Sequence, residues 1–436
     1  MKSSDDPCSG HTILIDRHHM WLADMAHRVL GQCRTERVIN IDGTARLLTL
    51  YVPSGDMKYK SFWVRDAAMM ASCGLIPTDE IRGWLDLVAA AQNGPAPRIL
   101  ANGLQVPPWS IADHINDDGR PVFFPGTYSS GQDQGQGRFG FYPPHDDQYY
   151  FIDMAWQYYR HGGDADAFQN QVGGIRLLDR LEYAFRSYQI DPDSQLCFST
   201  LPDVTVDWGF CDTIVKSGLL LYPSLLRYQA AMQLAEIFTA VGDPGKSAKY
   251  TSLSEQIRTG ILRHLKEGSG WLLSATETGR QQDVWGTAFA VWTGVLQDDD
   301  RVAALRVLAE AFKNGTAVSN GYVRHILEGD DARSGSTAWE MAHCTYNTYQ
   351  NGGYWATPTG WYLYALAQID LTLAEQMLDS FINHSLAEKA NGAPFEWISR
   401  DGSVVDGRLY GASAALPCAA VMRLSEENGN GNTTTG

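Results

Sequence analysis

Helical stretches in this sequence come in pairs, and that pairing restricts the fold more than any average property of the chain. Leu221, Leu225, Tyr228, Met232, Ala235 and Phe238 recur at steps of three and four until Gly242-Asp243-Pro244 breaks the run. That is the spacing of one helix face followed by a stop signal. Val302, Leu305, Leu308 and Phe312 repeat the pattern behind Asp298-Asp299-Asp300, and Thr78-Asp79-Glu80 opens a further helix. In both, carboxylates sit at the positive end of the helix dipole. Along the whole chain the periodicity predicts about twelve helices, near residues 14–32, 62–74, 78–93, 146–161, 173–188, 219–241, 246–266, 283–296, 300–313, 359–369, 371–387 and 409–424.

Short Gly/Pro/Asp turns at 73–78, 242–246, 296–300 and 369–371 join neighbours. Long segments rich in Gly, Pro and aromatic residues, at 94–145, 189–218, 314–358 and 388–408, separate the pairs. Loops of that length in a compact chain are usually functional. Six helical hairpins with tight turns at one end and long loops at the other predict an all-α fold. The expected form is a closed (α/α)6 toroid with minor β-hairpin decorations, at residues 45–53 and in parts of 120–142. An open solenoid would show a fixed repeat length, and none is visible. Residues 1–424 read as a single domain, and residues 425–436 as a disordered tail.

Composition narrows the partners. Hydrophobic residues are 44% and charged residues 19% of 436, which is globular. With 34 Lys+Arg against 50 Asp+Glu the net charge is −16, so nucleic acid and anionic membrane surfaces are repelled. No apolar run reaches the roughly 18–20 residues of a membrane span. The start, Met1 to Pro7, lacks the apolar core of a secretion signal, which points to the cytoplasm. Seven scattered cysteines without a Cys-x-x-Cys pair read as free thiols. Gly135, Gly137 and Gly140 match the dinucleotide fingerprint, but Pro143-Pro144 follows and no strand–turn–helix surrounds them. No cofactor is expected. There is no His-Glu-x-x-His, and His145-Asp146-Asp147 reads as a substrate-binding or structural loop rather than a metal site.

The aromatic content carries the functional signal. Trp (13), Tyr (20) and Phe (15) make up 11% of the chain, and many of them sit beside Gly, Pro, Asp or Asn instead of on a helix stripe. Aromatic faces next to carboxylates and amides suit a sugar, whose C–H face stacks while its hydroxyls bond. In Trp63-Val64-Arg65-Asp66 an adjacent donor and acceptor open a helix where a long loop ends, an arrangement able to grip vicinal hydroxyls. Asp207, between Val206 and Trp208, is flanked by apolar residues, which favours the protonated form a general acid needs. Glu396, between Phe395 and Trp397, is a second lone carboxylate in a loop on the opposite side of a six-pair barrel. Two carboxylates across a cleft is the arrangement of glycoside hydrolysis. Asn351-Gly352-Gly353-Tyr354-Trp355 offers amide, bare backbone and aromatic face together.

These residues resemble the six-hairpin glycosidase superfamily, the (α/α)6 barrels that include glucoamylase-like, trehalase-like and debranching-enzyme-like hydrolases. The likeness spans roughly residues 14–424 in helix order. At residue level it rests on Trp63-Val64-Arg65-Asp66, Val206-Asp207-Trp208-Gly209, Tyr349-Gln350-Asn351-Gly352-Gly353-Tyr354-Trp355 and Phe395-Glu396-Trp397. The resemblance implies an acid between the fifth and sixth helices and a base between the eleventh and twelfth, slots held by Asp207 and Glu396. Aspartate in the acid slot is similar to the trehalase-like and debranching-like branches, since glucoamylases carry Glu there. The expectation is an inverting, exo-acting, metal-free glycosidase on a carbohydrate substrate. Asp207 is its acid and Glu396 its base. Trp63, Arg65, Asp66, Asp146, Trp208, Asn351, Tyr354, Trp355 and Trp397 bind the sugar. Asp146, Asp147, Asp212 and Glu340 are the reserve acids. An epimerase or lyase using His145 or His343, and a non-catalytic carbohydrate-binding barrel, are the alternatives. The sugar and the oligomeric state are not legible in the sequence.

Overall fold

In the computed structural model the described residues are 7–101, 103–125, 140–201, 203–333, 335–387 and 389–431. They contain twelve α-helices: α1 (Pro7–Cys33), α2 (Val64–Ala71), α3 (Thr78–Ala91), α4 (Asp147–Arg160), α5 (Leu177–Phe185), α6 (Leu221–Ala240), α7 (Pro244–His264), α8 (Val284–Thr293), α9 (Asp298–Lys313), α10 (Thr359–Ala367), α11 (Leu371–Leu386) and α12 (Gly411–Gly431). The expected helices are all present, most with ends shifted by a few residues.

The even-numbered helices touch in sequence, α2 to α4 and on through α6, α8 and α10 to α12, and α12 returns to α2. The odd-numbered helices lie against them, α1 on α12, α3 and α5 on α4, α7 on α6, α9 on α8 and α11 on α10. Sequence patterning follows that order. α6, in contact with α4, α7 and α8, buries Leu221, Leu225 and Phe238 of the periodic set and also Tyr222, Leu226, Ala230 and Ile237 on other faces. Of its periodic residues only Met232 is left exposed. α9 buries one side, through Ala304, Leu305 and Leu308, and leaves Val302 exposed. The turn into α7 is fixed by Asp243, whose side chain accepts from the Lys246 N–H, with Pro244 at the first helical position.

Small antiparallel sheets fill the long loops. Arg34–Ile41 pairs with Thr44–Tyr51 as the hairpin expected at 45–53. Pro121–Val122 pairs with His114–Ile115, which pairs with Phe62–Trp63. Five strands, Val318–Ser319, Tyr322–Arg324, Tyr354–Trp355, Phe395–Ile398 and Val405–Arg408, form the largest sheet. Glu396 therefore sits on a strand, not in a loop, and its strand is buried at all four positions.

The last helix continues past Leu424. α12 runs to Gly431 because its last turns find partners: Glu427 pairs with Arg423 one turn back at 3.0 Å and accepts from the Tyr364 hydroxyl at 2.9 Å, and Glu426 pairs with Arg160 at 2.8 Å. Residues 432–436, the glycines at 135 and 137, and most of the second hairpin expected in 120–142 lie outside the described residues. Six cysteines, Cys33, Cys73, Cys197, Cys211, Cys344 and Cys418, are free. No helix among the described residues is long and apolar enough to cross a membrane.

Candidate active site

Chain entry into the even-numbered helices gathers polar side chains at one end of the molecule. Asp66 lies in the first turn of α2, Asp146 and Asp283 stand immediately before α4 and α8, and Tyr410 precedes α12. Helix N-termini favour negative charge, which helps to hold several buried carboxylates in one region. A cleft there is lined by Tyr59, Trp63, Arg65, Asp66, Gly209, Phe210, Asp212, Tyr349, Glu396 and Tyr410, with Pro53 and Pro125 at its edge.

Arg65 anchors the region. Its Nη2 donates to Asp113 at 2.6 Å and Asp147 at 3.1 Å, and its Nε donates to Asp146 at 2.8 Å. All four side chains are buried. One guanidinium cannot neutralise three carboxylates, and the three separate accordingly. Burial pushes Asp113 up, but Arg65 and the His114 ring at 2.7 Å more than offset it, so it stays below the usual range. Burial together with its anionic neighbours lifts Asp147 well above that range, against the pull of Arg65. Gly209 is required here because a Cβ would overlap the Arg65 guanidinium, and its N–H donates to Asp146 at 3.0 Å.

Three carboxylates face the cleft. Burial raises Asp66 to about 7, against the opposing pull of Arg65 and of the Tyr410 hydroxyl that donates to it at 2.7 Å. Burial also raises Asp212 to about 7, and the Asp113 and Glu396 charges add to the shift. Asp212 accepts from Gln350 Nε2 at 2.7 Å. That amide cannot be reversed, because its oxygen already accepts from the Thr213 N–H at 2.8 Å and the Thr213 hydroxyl at 2.6 Å. Glu396 is raised by burial and drawn back by Lys58 Nζ at 3.2 Å and by the Tyr59 hydroxyl, 3.0 Å from each carboxylate oxygen. Gly407, at φ +64°, passes so close to Glu396 that a side chain there would collide with it.

The expected residues divide. Trp63, Arg65, Asp66 and Glu396 line the cleft. Asp146 stands behind Arg65. Asp207 does not line the cleft; it is buried in an ion pair with Lys216 at 2.7 Å. Trp208 is fully covered, stacked on Tyr222 with centroids 4.0 Å apart. Asn351 braces its own loop: its Oδ1 accepts from Ala338 N–H and Thr337 Oγ1, and its Nδ2 donates to Cys344 O. Tyr354, Trp355 and Trp397 are buried on the five-stranded sheet, outside the cleft lining. The aromatic side chains that do line the cleft are Trp63, Phe210, Tyr59, Tyr349 and Tyr410. Of the reserve acids, Asp212 is in the cleft and Glu340 is exposed, accepting from the Gly279 N–H. Neither His145 nor His343 lines the cleft. Tyr59, Tyr349 and Tyr410 were not among the expected site residues: Tyr59 is an aromatic residue in a loop, Tyr349 only opens the Tyr349–Trp355 match, and Tyr410 falls at the expected start of the last helix.

No known family profile and no curated protein matches the chain. Solved structures do match. One is a wild-type glycosidase, 15% identical over 94% of this chain and 98% of that one, with a TM-score of 0.58. Another is a glycosidase variant in complex with glucose, also 15% identical with the same coverage, at a TM-score of 0.59. A rhamnosidase from Klebsiella oxytoca with rhamnose bound is 12% identical over 98% of this chain and 65% of that one, at 0.54. The fold of this chain is thus similar to the fold of known glycosidases.

Proposed function

We propose that the chain is a glycoside hydrolase, a single (α/α)6 barrel acting on the terminal sugar of a carbohydrate by inversion, with Asp212 as general acid and Glu396 as general base. The observation that carries this reading is the meeting of Asp212, Glu396 and Asp66 in one narrow cleft walled by Trp63 and tyrosines. The helix contacts that lead from α2 round to α12 and back support the barrel, and the glycosidase neighbours support the reaction class. Asp212 lies between α5 and α6 on the same loop as Asp207, five residues further on. A pKa near 7 keeps much of Asp212 protonated at neutral pH, as an acid requires. Lys58 and Tyr59 favour the ionised form of Glu396, as a base requires. Arg65 Nε and Nη2 are occupied by aspartates, and Asp66 is the acceptor for sugar hydroxyls. The epimerase alternative needs histidines in the cleft lining, which holds none.

Asp66→Asn should raise KM or weaken a competitive sugar inhibitor by about 10- to 100-fold, the worth of a hydrogen bond to a charged group. The unfolding midpoint should stay nearly constant, because asparagine still accepts from Tyr410. Loss of stability with intact binding would return Asp66 to a packing role.

Gln350→Leu gives a sharper test of the acid. The Gln350 N–H favours ionised Asp212, so its removal raises the Asp212 pKa. The basic limb of the kcat/KM profile should then move to higher pH, by about one unit. A basic limb that stays in place while activity falls would mean that Asp212 is not the titrating acid.

A further inference from the structure

Glu396 shares the ammonium that compensates it. Lys58 Nζ stands 3.2 Å from Glu396 Oε2 and 2.8 Å from Asp406 Oδ2, one cation between two carboxylates. The backbone sets up this bridge. Phe395–Ile398 and Val405–Arg408 pair with Phe395 opposite Arg408 and Trp397 opposite Asp406, so Glu396 lies against Gly407 with Asp406 beside it. The Gly407 N–H donates to Asp406 Oδ1 at 2.8 Å, which leaves Oδ2 for Lys58. The turn that carries Lys58 is tied to the end of the same strand pair. The Gly55 N–H donates to Leu409 O at 3.0 Å and the Gly411 N–H to Pro53 O at 2.8 Å. Asp56 Oδ1 accepts from the Lys58 N–H at 3.1 Å and fixes the turn. Neither Lys58 nor Asp406 lines the cleft. The Glu396 side chain is 2% exposed, those of Lys58 and Asp406 32% and 50%, so the bridge runs from the cleft wall out to solvent.

The consequence is electrostatic. An ammonium within about 4–6 Å favours the ionised form of a carboxylate, and a carboxylate wholly paired with one takes up a proton poorly. Here the shorter contact goes to Asp406, whose charge opposes the effect of Lys58 on Glu396. Burial would drive Lys58 toward neutrality, but Glu396 and Asp406 more than offset it and keep it charged. The other groups around Glu396 are Tyr59 from the same turn as Lys58, Asp66 from α2, Tyr410 before α12 and Asp212 from the loop between α5 and α6, with Arg65 also in the cleft wall. All of these line the cleft. Lys58 and Asp406 stand behind it, where they act on Glu396 without touching a substrate. We propose that Asp406 is a positioning residue that acts through Lys58: by taking part of the ammonium, it keeps Glu396 basic enough to draw a proton from water. This deepens, and rests on, the reading of Glu396 as the general base.

¹³C NMR of the full-length protein, labelled at the glutamate side-chain carboxyls, tests this, with the Glu396 signal identified by its loss in Glu396→Gln. Two substitutions should move its titration midpoint in opposite directions. Lys58→Met removes the cation and should raise the midpoint by about one unit. Asp406→Asn leaves the ammonium to Glu396 alone and should lower it by about half a unit, since a half-exposed carboxylate is screened by solvent. Asp406→Glu keeps the charge and should stay near wild type. The acidic limb of the kcat/KM profile, which reports the base of the free enzyme, should follow, to higher pH in Lys58→Met and to lower pH in Asp406→Asn. Lys58→Gln replaces Lys58→Met in the test if the methionine variant does not fold. A midpoint that does not move in Asp406→Asn would overturn the proposal and leave Asp406 a surface carboxylate. A midpoint that rises there, as in Lys58→Met, would also overturn it, because Asp406 would then only tether Lys58 to Glu396. If the midpoints move as stated while the acidic limb stays in place, Asp406 tunes Glu396 but Glu396 is not the base, so the two readings fail separately.

Discussion

Asp212→Asn should lower kcat on a natural glycoside by ~10²–10⁴-fold, the usual contribution of a general acid, while sparing aryl glycosides whose leaving groups barely need a proton. Glu396→Gln should damage both substrates alike, because water must be activated whatever departs. The separation arises from the surroundings of the two groups. Asp212 is buried, has one neutral amide donor and feels the charges of Asp113 and Glu396, so its pKa is raised to about 7. Glu396 faces an ammonium and a phenol, which compensate its negative charge. NMR of the first-formed sugar should show the anomer opposite to the substrate's, since acid and base on opposite faces act in a single displacement. A retained configuration would discard that scheme. Equal losses on activated and natural substrates in Asp212→Asn would remove Asp212 as the acid.

Helices were legible because their signal is local. The runs at 221–238 and 302–312 and the stop at Gly242-Asp243-Pro244 state the period and the break within one segment, and the helices obey them. Arg65, Asp66 and Glu396 were also legible, since charged residues among aromatic ones at the edges of long loops rarely serve packing alone. The acid was not. Asp207 and Asp212 share one loop, and the apolar flank that marked Asp207 marks burial without saying on which side of the wall a carboxylate emerges. What decides between them is Lys216, nine positions after Asp207, which folds back to pair with it. The same holds for aromatic residues: Trp208, Tyr354 and Trp355 read as cleft walls because they stand beside or near glycine, while in the fold they are buried and outside the cleft lining. Tyr59 and Tyr410 reach the cleft from segments distant in sequence, so only the packed chain brings their hydroxyls to Glu396 and Asp66.

Lys216→Met should be the most destabilising single substitution near the cleft, costing about 3–5 kcal/mol, the range for removing one partner of a buried ion pair. Lys216 and Asp207 are each 1% exposed and meet at 2.7 Å, and the ammonium lies 4.5 Å from the centre of the Trp339 ring. Burial alone would push the lysine toward neutrality, but Asp207, with Asp283 beyond it, more than offsets this and keeps it charged. Methionine keeps the stem and removes the charge. Asp207 then loses its counter-ion, and its other oxygen, Oδ1, has no partner among the described residues. The cost therefore comes from an abandoned carboxylate rather than from lost contact area. Adding Asp207→Asn to Lys216→Met should recover much of the loss, because it removes that charge as well. Urea midpoints of the two single variants and the double variant, set beside kcat on the natural glycoside, separate the two roles an aspartate can have here. In a structural pair, Asp207→Asn lowers the midpoint and leaves the turnover of the remaining folded enzyme within about tenfold of wild type. If Asp207→Asn instead abolished turnover at an unchanged midpoint, Asp207 would be the acid after all, and Asp212 would join Asp66 as a sugar-binding group.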